Sequence, residues 1–185
     1  MKKKIFTTVF CVCFLAVIIT GCGNSSAEQP ALSEGDSQQK STVAVESEQT
    51  NKIYGPGETW TVDGQWNLTF QSAALTDNRN QFSEQNPAQV VILTYSYENL
   101  GYQNDTMDLF ISSGDMKVID ANKEMAQTYP ATITTYPKQT PVGAICSNAE
   151  EAYGLNAPSD EITINIQKYD SNNNIQKATF KLPVQ

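Results

Sequence analysis

The chain has 185 residues, of which 12 are basic, 20 are acidic and none is histidine. The lack of histidine excludes Ser-His-Asp and Cys-His catalysis, an imidazole general base and most zinc and copper sites. A formal net charge of −8 opposes binding to nucleic acid, anionic lipid headgroups and anionic wall polymers. It is compatible with a cationic partner, with loose binding of divalent cations, or simply with solubility.

The first 22 residues predict an export signal that ends in a lipid-attachment cysteine. Residues 2–4 are lysines, and residues 5–19 form a mostly apolar run, shorter than the roughly 20 residues of a membrane-spanning helix. The stretch "ITGC" ending at Cys22 resembles the bacterial lipobox. That resemblance implies transfer of diacylglycerol to the Cys22 thiol and cleavage before it, which anchors the protein to the membrane through lipid. The alternative is an ordinary secretory signal or an uncleaved anchor.

Three regions follow from the composition: a signal peptide over residues 1–21, lipidated Cys22 with a disordered tether over residues 22–52, and one folded domain over residues 53–185. The tether is rich in Ser, Gln and Glu and has no aromatic residue, so it cannot bury enough apolar surface to offset its ordering entropy. Loss of the signal removes 3 basic residues and no acidic one. The mature chain then has 9 basic and 20 acidic residues, a net charge of −11.

Cysteine usage is also informative. Cys11 and Cys13 lie in the signal peptide, and Cys22 is the lipid-attachment site. Cys146 is therefore alone in the domain, where no intramolecular disulfide can form. Its apolar neighbours predict a buried, inert thiol.

Strand patterning begins at residue 59. The runs "TWTV" and "WNLTFQ" flank Asp63-Gly64, which predicts a hairpin with a two-residue type I′ turn. Residues 88–101 predict one long strand, and its first half, apolar on both faces, is typical of a central position in a sheet. One face of this strand carries the larger side chains: Val91, Leu93, Tyr95 and Tyr97.

Shorter elements follow. Residues 107–112 and 116–120 predict two short strands separated by a turn. Residues 147–154 alone favour a short helix, because Ser147 and Glu150 have the spacing of a capping box.

A second hairpin closes the chain. Residues 161–170 and 175–184 predict its strands, and residues 171–174 its Asn-rich turn. Strict alternation predicts three inward side chains in the first strand: Ile162, Ile164 and Ile166. The sequence therefore predicts an all-β fold, an antiparallel β-sandwich with at most one short helix near 147–154.

The long strand ends in "YENLG", with Asn99 and Gly101 in an Asn-x-Gly motif. This motif, together with "PVG" at residues 141–143 and the closing hairpin, resembles the immunoglobulin-like lipoproteins of Gram-positive bacteria. These are similar in fold to a small secreted mycobacterial antigen. The likeness covers residues 54–184 and implies an immunoglobulin-like sandwich on the extracytoplasmic face of the cell membrane. It implies no catalytic residue, because the family has no agreed activity.

Two tyrosines stand in a repeated Thr-Tyr-Pro motif, at Tyr129 and Tyr136. Proline cannot donate to a β-ladder, so this segment is expected at a sheet edge or in a loop. The rings could form an exposed contact surface for a protein or a glycan, since tyrosine combines a large apolar ring with a polar tip. The alternative is that the prolines shield the edge while the rings pack inward.

A polar loop after the long strand completes the candidate interaction surface, with Tyr102, Asn104 and Asp105. A solvated turn is the alternative. "DSNNN" from Asp170 is similar to the start of a calcium loop, but it has no turn glycine and no closing acid. A plain hairpin turn is favoured, and no metal site, cofactor or catalytic residue is predicted.

These features predict a lipid-anchored, non-catalytic binding module at the cell envelope. Its partners are expected to be the membrane, through Cys22, and an envelope protein or glycan, but not nucleic acid. The oligomeric state stays open. The alternatives are a small-molecule or ion sensor, such as an accessory subunit of an envelope transporter, and a hydrolase that uses carboxylates.

Overall fold

Nine β-strands and one 3-10 turn form the described part of the chain. The computed structural model describes residues 52–185, so the predicted signal peptide, Cys22 and the tether up to residue 51 lie outside the described residues. The turn is Ser113–Asp115. The strands are β1 (Ile53–Tyr54), β2 (Thr59–Val62), β3 (Trp66–Leu75), β4 (Gln89–Asn99), β5 (Met116–Ile119), β6 (Gln127–Thr128), β7 (Ile145–Leu155), β8 (Glu161–Tyr169) and β9 (Ile175–Pro183).

The strands form two sheets, which confirms the predicted all-β sandwich. The four-stranded sheet has the order β1-β9-β8-β5, and the five-stranded sheet has the order β2-β3-β4-β7-β6. Neighbouring strands are antiparallel, except that β1 runs parallel to β9. The long strand β4 lies in the middle of its sheet, as its apolar first half predicts.

The core lies between the sheets and is built from alternating side chains. Phe70 of β3 meets Phe180 of β9 with ring centroids 4.8 Å apart, a contact that joins the two sheets. Cys146 of β7 is buried, as predicted. Both predicted inward faces are also buried: Val91, Leu93, Tyr95 and Tyr97 in β4, and Ile162, Ile164 and Ile166 in β8.

Residues 147–154 lie in strand β7, so the short helix that the sequence favoured is absent there. The capping-box spacing of Ser147 and Glu150 is a local signal, whereas β7 pairs with β4 along most of its length. In the strand, Ala149, Glu151 and Tyr153 alternate toward the core. Tertiary pairing therefore overrides local propensity.

The predicted strand over residues 107–112 is wrong as well. This segment makes only an isolated bridge, between Leu109 and Thr140. Leu109 and Ile111 are nevertheless fully buried. The apolar pattern correctly predicts that Leu109 and Ile111 are buried. It does not distinguish a paired strand from an extended segment that lines the core.

Both predicted hairpins form, but the first has a different turn. Its strands pair from Val62 with Trp66, which leaves a three-residue connection. Of its two predicted central residues only Gly64 has a positive φ, 67°, so the turn is not type I′. The second hairpin closes at Tyr169 with Ile175, and Asn173 takes the left-handed conformation at φ 62°.

Candidate interaction surface

Asn99 holds the loop that contains three of the predicted site residues. Its side chain is fully buried at the end of β4. Its Nδ2 donates to the carbonyls of Tyr102 and Thr140, at 3.1 and 2.9 Å. Its Oδ1 accepts from the N–H groups of Gly101 and Tyr102, at 3.0 and 2.7 Å. The Asn of the Asn-x-Gly motif is thus a structural clamp for this loop.

The Gly of the motif is required because no larger residue fits at its position. A Cβ added to Gly101 would stand 2.6 Å from the backbone oxygen of Gly64, in the turn of the first hairpin. No side chain fits at that distance, because the obstacle is backbone. Asn99 and Gly101 therefore fix how the loop after β4 packs on the hairpin.

Tyr102 is 7% exposed, so it is a core residue and not part of a contact surface. Its ring packs edge-on against Trp66, with centroids 5.8 Å apart. Asn104 and Asp105 are exposed. The Asn104 Oδ1 accepts the Thr106 N–H at 2.9 Å, a local turn that leaves both polar side chains at the surface.

Tyr129 is also buried, at 5% exposure, while Tyr136 is 64% exposed. The Tyr129 hydroxyl accepts the backbone N–H of Asn80 at 3.0 Å, so it serves the packing of the loop after β3. The segment that carries both tyrosines follows β6 along the edge of β7, which confirms the predicted edge position. Of the two rings, that of Tyr129 packs inward and that of Tyr136 is exposed.

The five predicted site residues do not form one surface. Tyr129 donates its backbone N–H to Ala152, which pairs with Ile92 near the start of β4. Tyr102 is held by Asn99 at the end of β4. Asn99 lies seven residues beyond Ile92, about 23 Å at the usual rise of a strand. The two buried tyrosines therefore lie toward opposite ends of the sandwich.

Asp170 closes the second hairpin with its carboxylate. Its Oδ1 accepts the N–H groups of Asn172 and Asn174, at 2.8 and 2.9 Å, and its Oδ2 accepts the Gln176 amide at 2.8 Å. Burial alone would raise the pKa of Asp170, but these hydrogen bonds outweigh it and lower the pKa. The carboxylate is occupied by its own turn, as the hairpin interpretation predicts. Within residues 52–185 no cluster of three or more acidic, Cys or His side chains could hold a metal ion.

Glu151 is a carboxylate that points between the sheets. Its Oε1 accepts the Ser113 N–H at 3.0 Å. Burial raises the pKa of Glu151 despite that hydrogen bond. A raised pKa means that the folded protein holds this proton more tightly than the unfolded chain does. Ionised Glu151 therefore lowers stability as pH rises above the usual range of a glutamate, and this penalty disappears in acid.

The outer face of the five-stranded sheet has polar side chains that bond to one another. Thr59 and Thr69 join their hydroxyls at 2.8 Å. Thr61 donates to Asn67 at 2.8 Å, and Asn67 donates to Glu98 at 2.9 Å. The hydrogen-bonding capacity of this face is therefore largely used within the protein.

The outer face of the four-stranded sheet is different and contains a groove of about 350 Å³. Register places Lys117 of β5, Asn165 of β8 and Thr179 of β9 in one row across the strands. Gln167 and Lys177 form the next row. The groove is lined by Gly114, Asp115, Lys117, Asn165, Ile166, Gln167, Lys177, Ala178 and Thr179.

The free polar groups of this groove are mostly donors. Thr179 donates its hydroxyl to Asn165 Oδ1 at 2.9 Å, which leaves the Asn165 NH₂ directed away from that bond. Asp115 is already engaged, because it accepts from Lys168 at 3.3 Å and from the Ser112 N–H at 3.1 Å. Among residues 52–185, the ammonium groups of Lys117 and Lys177 have no ion-pair partner. The groove can therefore offer several N–H donors to a ligand.

Comparison with known proteins gives fold neighbours only. No family model and no curated protein matches the chain. The crystal structure of yjhA from Bacillus subtilis has a TM-score of 0.52 at 14% identity, over 70% of this chain and 99% of that one. The crystal structure of the putative lipoprotein ycdA from Bacillus subtilis subsp. subtilis str. 168 has a TM-score of 0.50 at 12% identity. That likeness covers 68% of this chain and 38% of ycdA. At these identities the neighbours support the β-sandwich fold.

No helix within residues 52–185 is long and apolar enough to cross a bilayer.

Proposed function

We propose that this protein is a lipid-anchored, extracytoplasmic binding module of the cell envelope that catalyses no reaction. The observation that carries the proposal is the donor-rich groove on the outer face of the four-stranded sheet. Its residues stand on paired strands, so they are positioned before a ligand arrives. Ligand recognition on a preformed β-sheet face needs no moving part and no catalytic group.

The proposed location rests on the N-terminal sequence. The "ITGC" stretch resembles a lipobox, and lipid on Cys22 would hold the domain at the outer face of the membrane by a tether of about 30 residues. Such a tether spans roughly 30 Å as a flexible chain. The immunoglobulin-like lipoproteins of Gram-positive bacteria supply the family hypothesis, and the fold likeness to a B. subtilis putative lipoprotein is compatible with it.

Anchoring and binding are tested separately. For anchoring, the full chain and its Cys22→Ser variant are expressed in a Gram-positive host and fractionated. We expect the wild type in the membrane fraction, extracted only by detergent, and the variant in the medium or as an unprocessed precursor. Equal membrane retention of both would contradict lipid attachment at Cys22.

For binding, the wild-type protein is captured from detergent-solubilised membranes and wall digests of the same host. Enrichment of a defined envelope protein or glycan, relative to a capture without the bait, is the expected result. No enrichment from cells grown in several conditions would count against a binding module.

A further inference from the structure

Charge is segregated between the two outer faces of the sandwich. The chain is strongly acidic, yet the outer face of the four-stranded sheet contains three lysines. Register places Lys181 level with Thr163, on the same face as Lys117 and Lys177. Lys181 pairs with Glu161 at 3.0 Å. Lys117 and Lys177 are therefore left as unpaired positive charges beside the groove.

The other face carries the opposite charge. Glu98 and Glu150 project from the outer face of the five-stranded sheet. The pKa of Glu150 is lowered because hydrogen bonds from Thr134 and Thr135 outweigh the effect of burial. Its carboxylate therefore stays ionised at neutral pH. A polyanion would be repelled from this face and attracted to the unpaired lysines beside the groove.

The spacing of the two lysines suits an extended ligand. They lie two strands apart, about 10 Å, and two residues out of register, about 7 Å along the strands, so their Cα atoms are about 12 Å apart. Between them stand Asn165, Gln167 and Thr179, whose amides and hydroxyl match the hydroxyl groups of sugars. A chain with repeated acidic groups can bond to both ammonium groups and to the amides at the same time.

The chemistry of the groove favours an anionic glycan over a nucleic acid. No aromatic side chain lines it, so it lacks the stacking rings that single-stranded nucleic acids need. Its volume of about 350 Å³ lies within the range of ligand-binding cavities. The side chains instead offer hydrogen-bond donors in two rows across an open sheet.

We propose that the groove between Lys117 and Lys177 binds an anionic glycan, a polysaccharide that carries carboxylate, sulfate or phosphate groups. This inference rests on the proposed binding function and names its ligand class and site. The ammonium groups of the lysines bond to the acidic groups of the glycan. The Asn165 and Gln167 amides bond to its hydroxyl and ring oxygens.

The test uses the mature chain from residue 22 with Cys22→Ser, so that it is soluble. Its binding to dextran sulfate, polygalacturonate and uncharged dextran is measured by calorimetry or biolayer interferometry. We expect binding to an acidic polysaccharide but not to dextran, and weaker binding as salt increases. Lys117→Gln with Lys177→Gln should weaken it roughly tenfold. Asn165→Ala should weaken it by a smaller factor.

The matched control is Lys123→Gln with Lys138→Gln, which removes the same charge from exposed positions outside the groove. Equal weakening by both pairs would show a non-specific charge effect and overturn the inference. So would equal binding of dextran, or tighter binding of poly-L-glutamate or single-stranded RNA. If captures from membranes enrich a partner and the groove variants retain it unchanged, the glycan site is wrong while the proposed binding function stands.

Discussion

Replacement of Asn99 by alanine should strongly destabilise the domain. The side chain makes four hydrogen bonds in a fully buried position. The Gly101 and Tyr102 N–H groups would keep a second, longer bond to the Gln65 carbonyl, at 3.3 Å each. The carbonyls of Tyr102 and Thr140, in contrast, would lose the bond that Asn99 provides.

The magnitude follows from those two carbonyls. A buried polar group without a partner costs about 1–3 kcal/mol, so two of them cost about 2–6 kcal/mol, and a water that enters the small cavity would reduce this. We expect a loss of about 3 kcal/mol in the free energy of unfolding, or about 10 °C in Tm for a domain of this size. Asn99→Asp should be worse at neutral pH, because it sets a negative charge against two carbonyl oxygens.

The assay is urea denaturation of the soluble mature chain, followed by fluorescence of the buried Trp60 and Trp66. Asn67→Ala is the control, since Asn67 also makes two side-chain hydrogen bonds but lies on the outer face, where water can replace them. It should cost less than about 1 kcal/mol. Equal losses for Asn99→Ala and Asn67→Ala would refute the clamp.

Three further predictions follow from single contacts. Gly101→Ala should cost about 1–3 kcal/mol in thermal or urea denaturation, because its Cβ would meet the Gly64 backbone oxygen at 2.6 Å. Glu151→Gln should stabilise the domain at pH 7 and lose this advantage in acid, because burial raises the pKa of Glu151 and penalises only its ionised form. The Cys146 thiol should react with Ellman's reagent slowly in the native protein and at once in denaturant, because it is buried.

Each of these has a control and a contrary result. Gly55→Ala should be close to neutral, since its Cβ would be 3.5 Å from the flexible Glu58 carboxylate; equal loss at both glycines would remove the steric argument. A stability difference between Glu151→Gln and wild type that does not change with pH would contradict the burial of an ionised carboxylate. Fast labelling of the native thiol would show that β7 opens at Cys146.

The fold could be predicted where the side-chain pattern of a single strand shows which of its faces is buried. In β8 and in the second half of β4, the alternation of large apolar and polar side chains indicates which face is inward, so the sequence predicts these strands and their core residues. The region around Ser147 could not be found in this way. Its helix signal is a pair of side chains three residues apart, whereas its strand conformation depends on pairing with β4, more than 40 residues earlier.

The candidate site could be predicted much less well, because its residues meet only through strand order. The alternation in β8 already placed Asn165 and Gln167 outward. The closing hairpin already predicts that β9, with Lys177, lies beside β8. Nothing in the sequence says that β5 lies on the other side of β8, and only that order places Lys117 across the groove from Lys177.

The Thr-Tyr-Pro repeat predicts an edge or loop position for Tyr129 and Tyr136, where both rings are candidate contact residues. Tyr129 is buried because its backbone N–H bonds to the Ala152 carbonyl at the sheet edge and its hydroxyl accepts the Asn80 N–H.

The overall composition does not show the local positive charge on which binding of the proposed ligand depends. A formal net charge of −8 argues against binding to acidic polymers when the charge is treated as spread evenly. At physiological ionic strength the Debye length is about 8 Å, so charges on the far side of a sandwich whose sheets are about 10 Å apart are largely screened at the groove. The unpaired charges nearest to a glycan in the groove are those of Lys117 and Lys177. Low salt should strengthen both the attraction of the glycan to the groove and its repulsion by the rest of the surface. These two effects partly cancel, so the affinity should change less with salt than two lysine contacts alone would predict.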